Sequence, residues 1–198
     1  AGVRIGITGA PGVGKSTFIG KLARHLRERG HRVGVIAVDP TSPITGGSVL
    51  GDRLRMMPEQ PDDNLFVRSV ASSGTAGGLA PHVAEISDLL VAAGYPVVLL
   101  ETVGAGQNDV EVRRLTDQVL LLQMPGAGDA IQFFKAGIFE IATGFVLNKA
   151  DLPGADTTLR QLRESVEHNE PVWPVSALRD EGFEPICTWV EELLAARK

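Results

Sequence analysis

The sequence predicts a doubly wound α/β fold, with a mainly parallel sheet and helices on both of its faces. Three observations lead there. Seven short apolar runs recur along the 198 residues, helix-sized segments with apolar spacing lie between most of them, and a glycine-rich phosphate-binding pattern joins the first run to the first such segment. Runs that are apolar on both faces suit a parallel sheet buried on both sides, and right-handed crossovers then place the intervening helices.

Each element can be justified in order. Val3–Thr8 is a strand-sized run that feeds the helix-like segment Ser16–Arg29. Val33–Val38 follows, then Asp39–Asp63, a Pro/Gly-rich stretch that reads as a working loop rather than a domain boundary. Leu65–Ser69 is the third run, and Gly78–Ala93 carries the second helical spacing. Val97–Leu100 and Gln118–Leu122 come next, and the longest apolar runs, around Val97–Leu100 and Val119–Leu122, are far short of the roughly 18 residues of a transmembrane helix. The helical segment Asp129–Gly137, the strand Phe145–Asn148, the helical segment Thr157–His168, the strand Val172–Val175 and a last helix over Pro185–Arg197 complete the series. No repeat, low-complexity tract, linker or signal peptide is visible, so one soluble domain over 1–198 is expected.

Composition excludes several classes. One cysteine, Cys187, cannot form an internal disulfide, and one thiol with four scattered histidines cannot build a structural zinc cluster. A reducing, cytoplasmic setting is the expectation. With 19 Lys+Arg against 24 Asp+Glu, a net charge of -5 argues against a sequence-independent grip on nucleic acid. Backbone recognition of phosphate is untouched by that argument.

Gly9-Ala10-Pro11-Gly12-Val13-Gly14-Lys15-Ser16 matches G-x-x-x-x-G-K-[ST] between a strand and a helix. Backbone N–H groups of such a loop turn inward around phosphate oxygens, and the helix N-terminus adds partial positive charge. Gly12, Val13, Gly14 and Thr17 would line the nucleotide, Lys15 would reach the β- and γ-phosphates, and Ser16 would ligate magnesium. Asn148-Lys149-Ala150-Asp151 follows a strand, and its Asp can accept from both N1–H and the exocyclic amine of guanine, a pair that adenine lacks. The Lys149 stem can cover one face of the base, and Ser176-Ala177 can present an N–H to the guanine carbonyl. GTP is therefore expected over ATP.

Three carboxylates suit magnesium or the attacking water. Asp39 and Glu101 close strands, where ligands of parallel sheets gather, and Asp52 lies in a Gly-rich loop. Gly104 can offer its N–H to the γ-phosphate. Asp129, in Pro125-Gly126-Ala127-Gly128-Asp129, reads by itself as a helix N-cap, with a switch role left open by its position at the same sheet edge.

Taken together, GAPGVGKST, VDPTSPITGGSVLGDRLRM, ETVGAGQND, MPGAGDAIQFFKAG and NKAD resemble the MeaB-type GTPase chaperones of cobalamin-dependent acyl-CoA mutases, which include the methylmalonic aciduria type A protein and ArgK-like proteins. That resemblance implies the P-loop NTPase fold in its SIMIBI variant. It implies phosphate and magnesium roles for Lys15 and Ser16, and an acidic set of Asp39, Asp52 and Glu101 around metal and hydrolytic water. It also implies switches at Gly46–Arg55, Glu101–Glu111 and Met124–Lys135, the last with Asp129, Gln132 and Lys135, and Arg55 as a nucleotide or partner contact. Asn108-Asp109 departs from the family's small residue followed by Glu. The family's N-terminal helical arm and C-terminal dimerisation segment are expected to be absent, leaving a monomer or weak nucleotide-dependent dimer.

The expected activity is GTP hydrolysis, slow unless accelerated by a methylmalonyl-CoA or isobutyryl-CoA mutase whose cobalamin loading is gated or protected. Two other readings stand beside it: a nickel-type metal-insertion GTPase, which needs Cys/His ligands near the switches, and a transport-linked ATPase or kinase, which NKAD opposes. A binding-only switch is a third.

Overall fold

The computed structural model describes residues 2–40, 62–72, 82–102, 108–126 and 137–197. Seven strands form one sheet: β1 (Val3–Gly9), β2 (Val33–Pro40), β3 (Leu65–Ser72), β4 (Val97–Glu101), β5 (Gln118–Gln123), β6 (Gly144–Leu147) and β7 (Val172–Pro174). Their order is β3-β2-β4-β1-β5-β6-β7. Every pairing is parallel, so the mainly parallel sheet expected from the sequence is wholly parallel among the described residues.

Six helices are described: α1 (Lys15–Glu28), α2 (Val83–Ala92), α3 (Asn108–Leu115), α4 (Ile138–Ile141), α5 (Ala155–Ser165) and α6 (Glu184–Ala195). Strand alternation decides which face each one covers. Ile5, Ile7, Leu99, Leu120 and Leu122 turn to one side and pack on Phe18, Leu22 and Leu26 of α1 and on Ile186 and Val190 of α6. Val98, Leu100 and Val119 turn to the other, against Val83 and Leu90 of α2 and Val112 of α3. Leu121, on that same side, joins Phe145 and Leu147 beneath Ile138 of α4 and Leu162 of α5.

The elements differ from the sequence expectation in three places. Helix α3 was not expected, because Asn108–Leu115 is mostly polar; of its described side chains only Val112 is fully buried, filling the gap left by Gly6, where a Cβ would come within 2.7 Å of it. The helix expected at Thr157–His168 starts earlier, after Gly154 in the left-handed region, and stops at Ser165 because Val166 is extended. The helix expected at Asp129–Gly137 lies outside the described residues except for Gly137, which immediately precedes the single turn α4.

Because the strands are parallel, the C-terminal ends of β1, β4, β5, β6 and β7 share one edge. Gly9, Glu101, Gln123 and Asn148 all stand on it, which brings together segments more than a hundred residues apart.

Candidate nucleotide site

The loop after β1 is built from conformations that only glycine adopts freely. Gly12 has φ 79° and Gly14 φ 93°, and Gly14 caps α1 in the left-handed region. Val13 sits between them with its side chain fully buried in the core, so it offers the site only its backbone. No acidic residue of α1 itself occupies its first turn, so the helix carries no negative charge of its own at its positive end. Lys15 Nζ lies over the loop and donates to the Gly9 carbonyl at 2.8 Å and to the Ala10 carbonyl at 3.2 Å. Thr17 is exposed on the first turn.

Ser16 Oγ donates to Glu101 Oε1 at 2.7 Å. Two residues proposed as metal ligands from sequence, 85 positions apart, are thus in direct contact. Glu101 is only 5 % exposed at the end of β4, in register with Ile7 of β1 and Ala37 of β2. Burying a carboxylate is costly without a partner, and the all-oxygen pair of hydroxyl and carboxylate suits a hard divalent cation. Asp39 is on β2, opposite Ala71 of β3. The side chain of Asp39 and the whole of Asp52, Gly104, Asp129, Gln132, Lys135 and Arg55 lie outside the described residues.

Asn148 ties the phosphate loop to the loops at the far side of the edge. Its side chain is 2 % exposed; Nδ2 donates to the Val13 carbonyl at 2.8 Å, and Oδ1 accepts from the Ala177 N–H at 3.1 Å. A Cβ on Gly14 would come within 2.6 Å of that Nδ2, so the glycine is required by this contact as well as by its φ. Lys149, itself in the left-handed region at φ 58°, reaches the Gly12 carbonyl with Nζ at 2.7 Å. Ala150 N–H donates to the Val175 carbonyl at 2.9 Å, fastening the same turn to the end of β7.

Asp151 follows. The neighbouring Ser176 hydroxyl, more than any other group, holds its carboxyl below the ordinary carboxylate range against the opposing effect of burial, helped by its own backbone N–H and by Arg179. Arg179 Nε stands 3.6 Å from Oδ2. The amides of Ser176 and Ala177 are both engaged inside the protein, the first by the Glu181 carbonyl at 3.1 Å and the second by Asn148. An N–H offered to a guanine carbonyl from this pair would therefore be a shared donor. Arg179 is a neighbour that sequence reasoning missed; its place two residues after Ala177, in the turn Leu178-Arg179-Asp180-Glu181-Gly182, was the available signal.

Among the described residues, no group of three or more His, Cys, Asp or Glu is placed to hold a metal, and Cys187 is buried in α6, its thiol pushed up to about 11, mainly by burial. No helix among them is long and apolar enough to cross a membrane.

A family model described as "Methylmalonyl Co-A mutase-associated GTPase MeaB" matches residues 1–197. The chain belongs to this family. Within it, the GTPase ArgK of Escherichia coli is 42% identical over 195 residues, covering 93% of this chain and 59% of that protein. The mouse protein named methylmalonic aciduria type A homolog, mitochondrial, is 44% identical over 148 residues, 75% of this chain and 36% of its own length. The chain spans about half the length of the curated relatives it matches. Among solved structures, HypB from Helicobacter pylori in complex with nickel superposes with a TM-score of 0.72 over 99% of this chain and 88% of that one, at 15% identity. At that identity the likeness concerns the fold alone, and it is the P-loop NTPase fold that the first loop anticipates.

Proposed function

We propose that this MeaB-family chain binds GTP with magnesium, hydrolyses it to GDP and phosphate, and uses the change of state to serve a cobalamin-dependent acyl-CoA mutase. The observation that carries the reading is the Asn148 bridge. A buried side chain bonded to both Val13 and Ala177 fixes the spacing between a phosphate loop and a loop carrying Asp151, the carboxylate suited to guanine. Membership in a family described as mutase-associated supports the partner.

Each group has a task in that scheme. Loop N–H groups and Lys15 stabilise charge that develops on the γ-phosphate as water attacks in line, and Lys15 exchanges its Gly9 and Ala10 carbonyls for phosphate oxygens when it does so. Ser16 and Glu101, with Asp39 and Asp52, would hold magnesium. When bound, that ion neutralises phosphate charge. Asp151, held ionised, accepts the two guanine donors, and Lys149 flanks the base while anchored on Gly12. No arginine stands in the phosphate loop or directly after β4 or β5 to spread transition-state charge, so unassisted turnover is slow and the mutase accelerates it.

We place the whole cycle in one domain over 1–198, acting in the cytoplasm, with Gly104 and the segments around Asp52 and Asp129 responding to the γ-phosphate. The test is GTP hydrolysis measured with and without methylmalonyl-CoA or isobutyryl-CoA mutase. Acceleration by one of them, abolished by Lys15→Ala, is expected; equal rates with and without every such mutase would remove the partner from the scheme.

A further inference from the structure

Beyond the Asn148 bridge, a second connection runs between the two halves of the site, and the scheme above does not use it. Residues 176–182 form a tight turn: Ser176 and Glu181 exchange backbone hydrogen bonds at 3.1 and 3.0 Å. Gly182, at φ 87°, closes it where a Cβ would meet the Pro174 carbonyl at 2.4 Å. The tip of this turn has little packing of its own, since Leu178 is 84% exposed and the Arg179 side chain 59%. What holds it from beneath is Asp180, itself left-handed at φ 63°. The Asp180 carboxylate is bonded by Arg24 and by His25 Nε2, the latter at 2.9 Å, and both are residues of α1, the helix that begins at Lys15 and Ser16.

The contact is set in a rigid frame. The His25 ring stacks on Phe183 at 5.0 Å and 18°, and Phe183 stacks in turn on Phe18 at 5.5 Å, all three side chains lying between α1 and the start of α6. Arg24 is also braced by Glu28 one turn on, at 2.6 Å. Burial alone would raise the Asp180 pKa, but the bonds from His25 and Arg24 outweigh it and keep the carboxylate ionised. At the other end of the turn, Arg179 Nε stands 3.6 Å from Asp151, the Arg179 N–H donates to Ser176 Oγ at 3.2 Å, and the Ala177 N–H donates to Asn148.

We infer that Arg24, His25 and Asp180 form a positioning clamp for base selection, fixing the turn that orients Asp151 and Ala177 relative to the helix that carries the phosphate ligands. The inference rests on the guanine reading of the site. Asp180 touches no nucleotide in this scheme; it acts through Ser176 and Ala177. Loosening it should therefore blur recognition of the base while leaving recognition of phosphate intact, a split that general destabilisation would not produce.

The experiment compares the wild-type chain with Asp180→Asn, a change that keeps a residue tolerant of the left-handed region while removing the charge and turning one of the two accepting oxygens into an NH2 donor that faces Arg24 or His25. Four quantities are read: dissociation of a fluorescent GDP, the GTP-to-ITP affinity ratio, displacement by inorganic triphosphate and, on the wild-type chain, the GTP-to-ATP affinity ratio. Inosine lacks the exocyclic amine, so the ratio reports the alignment of Asp151. The expected result is GDP leaving about 5–20-fold faster and the GTP-to-ITP ratio falling about 3–10-fold, with triphosphate binding within about 2-fold of wild type; these factors are smaller than the loss of a whole charge-assisted bond to the nucleotide, as suits a residue that acts through others. If Asp180→Asn does not fold, Arg24→Gln, which leaves the turn's backbone untouched, is expected to move the same two quantities in the same direction by a smaller factor. A silent variant in a chain that prefers GTP over ATP overturns the clamp, as does an equal weakening of GTP and triphosphate. A wild-type chain without GTP preference would instead overturn the guanine reading, and the clamp with it.

Discussion

Replacing Asn148 by alanine tests how firmly the edge of the sheet is knitted together. The side chain is 2 % exposed and makes two hydrogen bonds, to the Val13 carbonyl at 2.8 Å and from the Ala177 amide at 3.1 Å. Truncation leaves one acceptor and one donor without partners. Each such orphan costs about 1–3 kcal/mol when it stays dry. The neighbouring loops reach solvent, at Gly12 on one side and Leu178 on the other, so water can relieve part of the loss, and a destabilisation of about 2–4 kcal/mol follows. For a domain of this size one kcal/mol corresponds to roughly 2–4 °C, so the melting temperature without nucleotide should fall by about 5–15 °C. Differential scanning calorimetry provides the measurement, and fluorescent GDP titration gives the companion effect, weaker binding because phosphate and base loops no longer share a strut. A melting temperature within about 1 °C of wild type, with unchanged GDP affinity, would refute the bridge as an energetic link.

Two further outcomes follow from the same geometry. Gly14→Ala adds a Cβ 2.6 Å from Asn148 Nδ2 at a residue with φ 93°, so it should cost about 1–3 kcal/mol from the left-handed conformation and the displaced bond, and it should weaken nucleotide binding at least as much as Asn148→Ala; a stable, nucleotide-binding variant would contradict the tight fit. The carboxyls of Asp151 and Asp180 are both held below the ordinary value of 3.8, so each stabilises the fold above that pH, and the contribution disappears as pH falls through the lower folded values. Melting temperature followed from pH 7 to pH 2.5 should show an acid limb beginning near pH 4 that is shallower in Asp180→Asn, and limbs of equal steepness would count against the Asp180 contacts.

The strands were legible because a parallel sheet covered on both faces leaves little choice of residue. Val97–Glu101 is buried at every position, and the run announces itself without any periodic pattern. Their lateral order was not legible, since it depends on which crossover helix packs where, and no strand carries its neighbour's identity. Helix α3 escaped notice for a related reason: most of its surface is polar, and Val112 is held by Gly6 of a distant strand rather than by a pattern of its own. At the site, short motifs were readable and the contacts between them were not. Lys15, Ser16 and Asp151 could be named from local spacing. That Ser16 meets Glu101, or that Asn148 spans from Val13 to Ala177, follows from separations of 85, 135 and 29 residues that only the fold closes. Asp180 illustrates the limit, being an ordinary turn aspartate in sequence and, 155 residues from His25, the underside of the base loop in space.

Guanine selection by Asp151 is the claim on which the rest depends. It is tested most directly by titrating GTP, ATP and XTP against the wild-type chain and against Asp151→Asn. Xanthine carries a carbonyl where guanine carries its amine, so the amide of Asn can donate where the carboxylate accepted. Wild type should bind GTP in strong preference to both others, and Asp151→Asn should invert the preference to XTP by a factor of about 10² or more. A variant that still prefers GTP, or a wild-type chain that takes ATP equally well, would contradict the account.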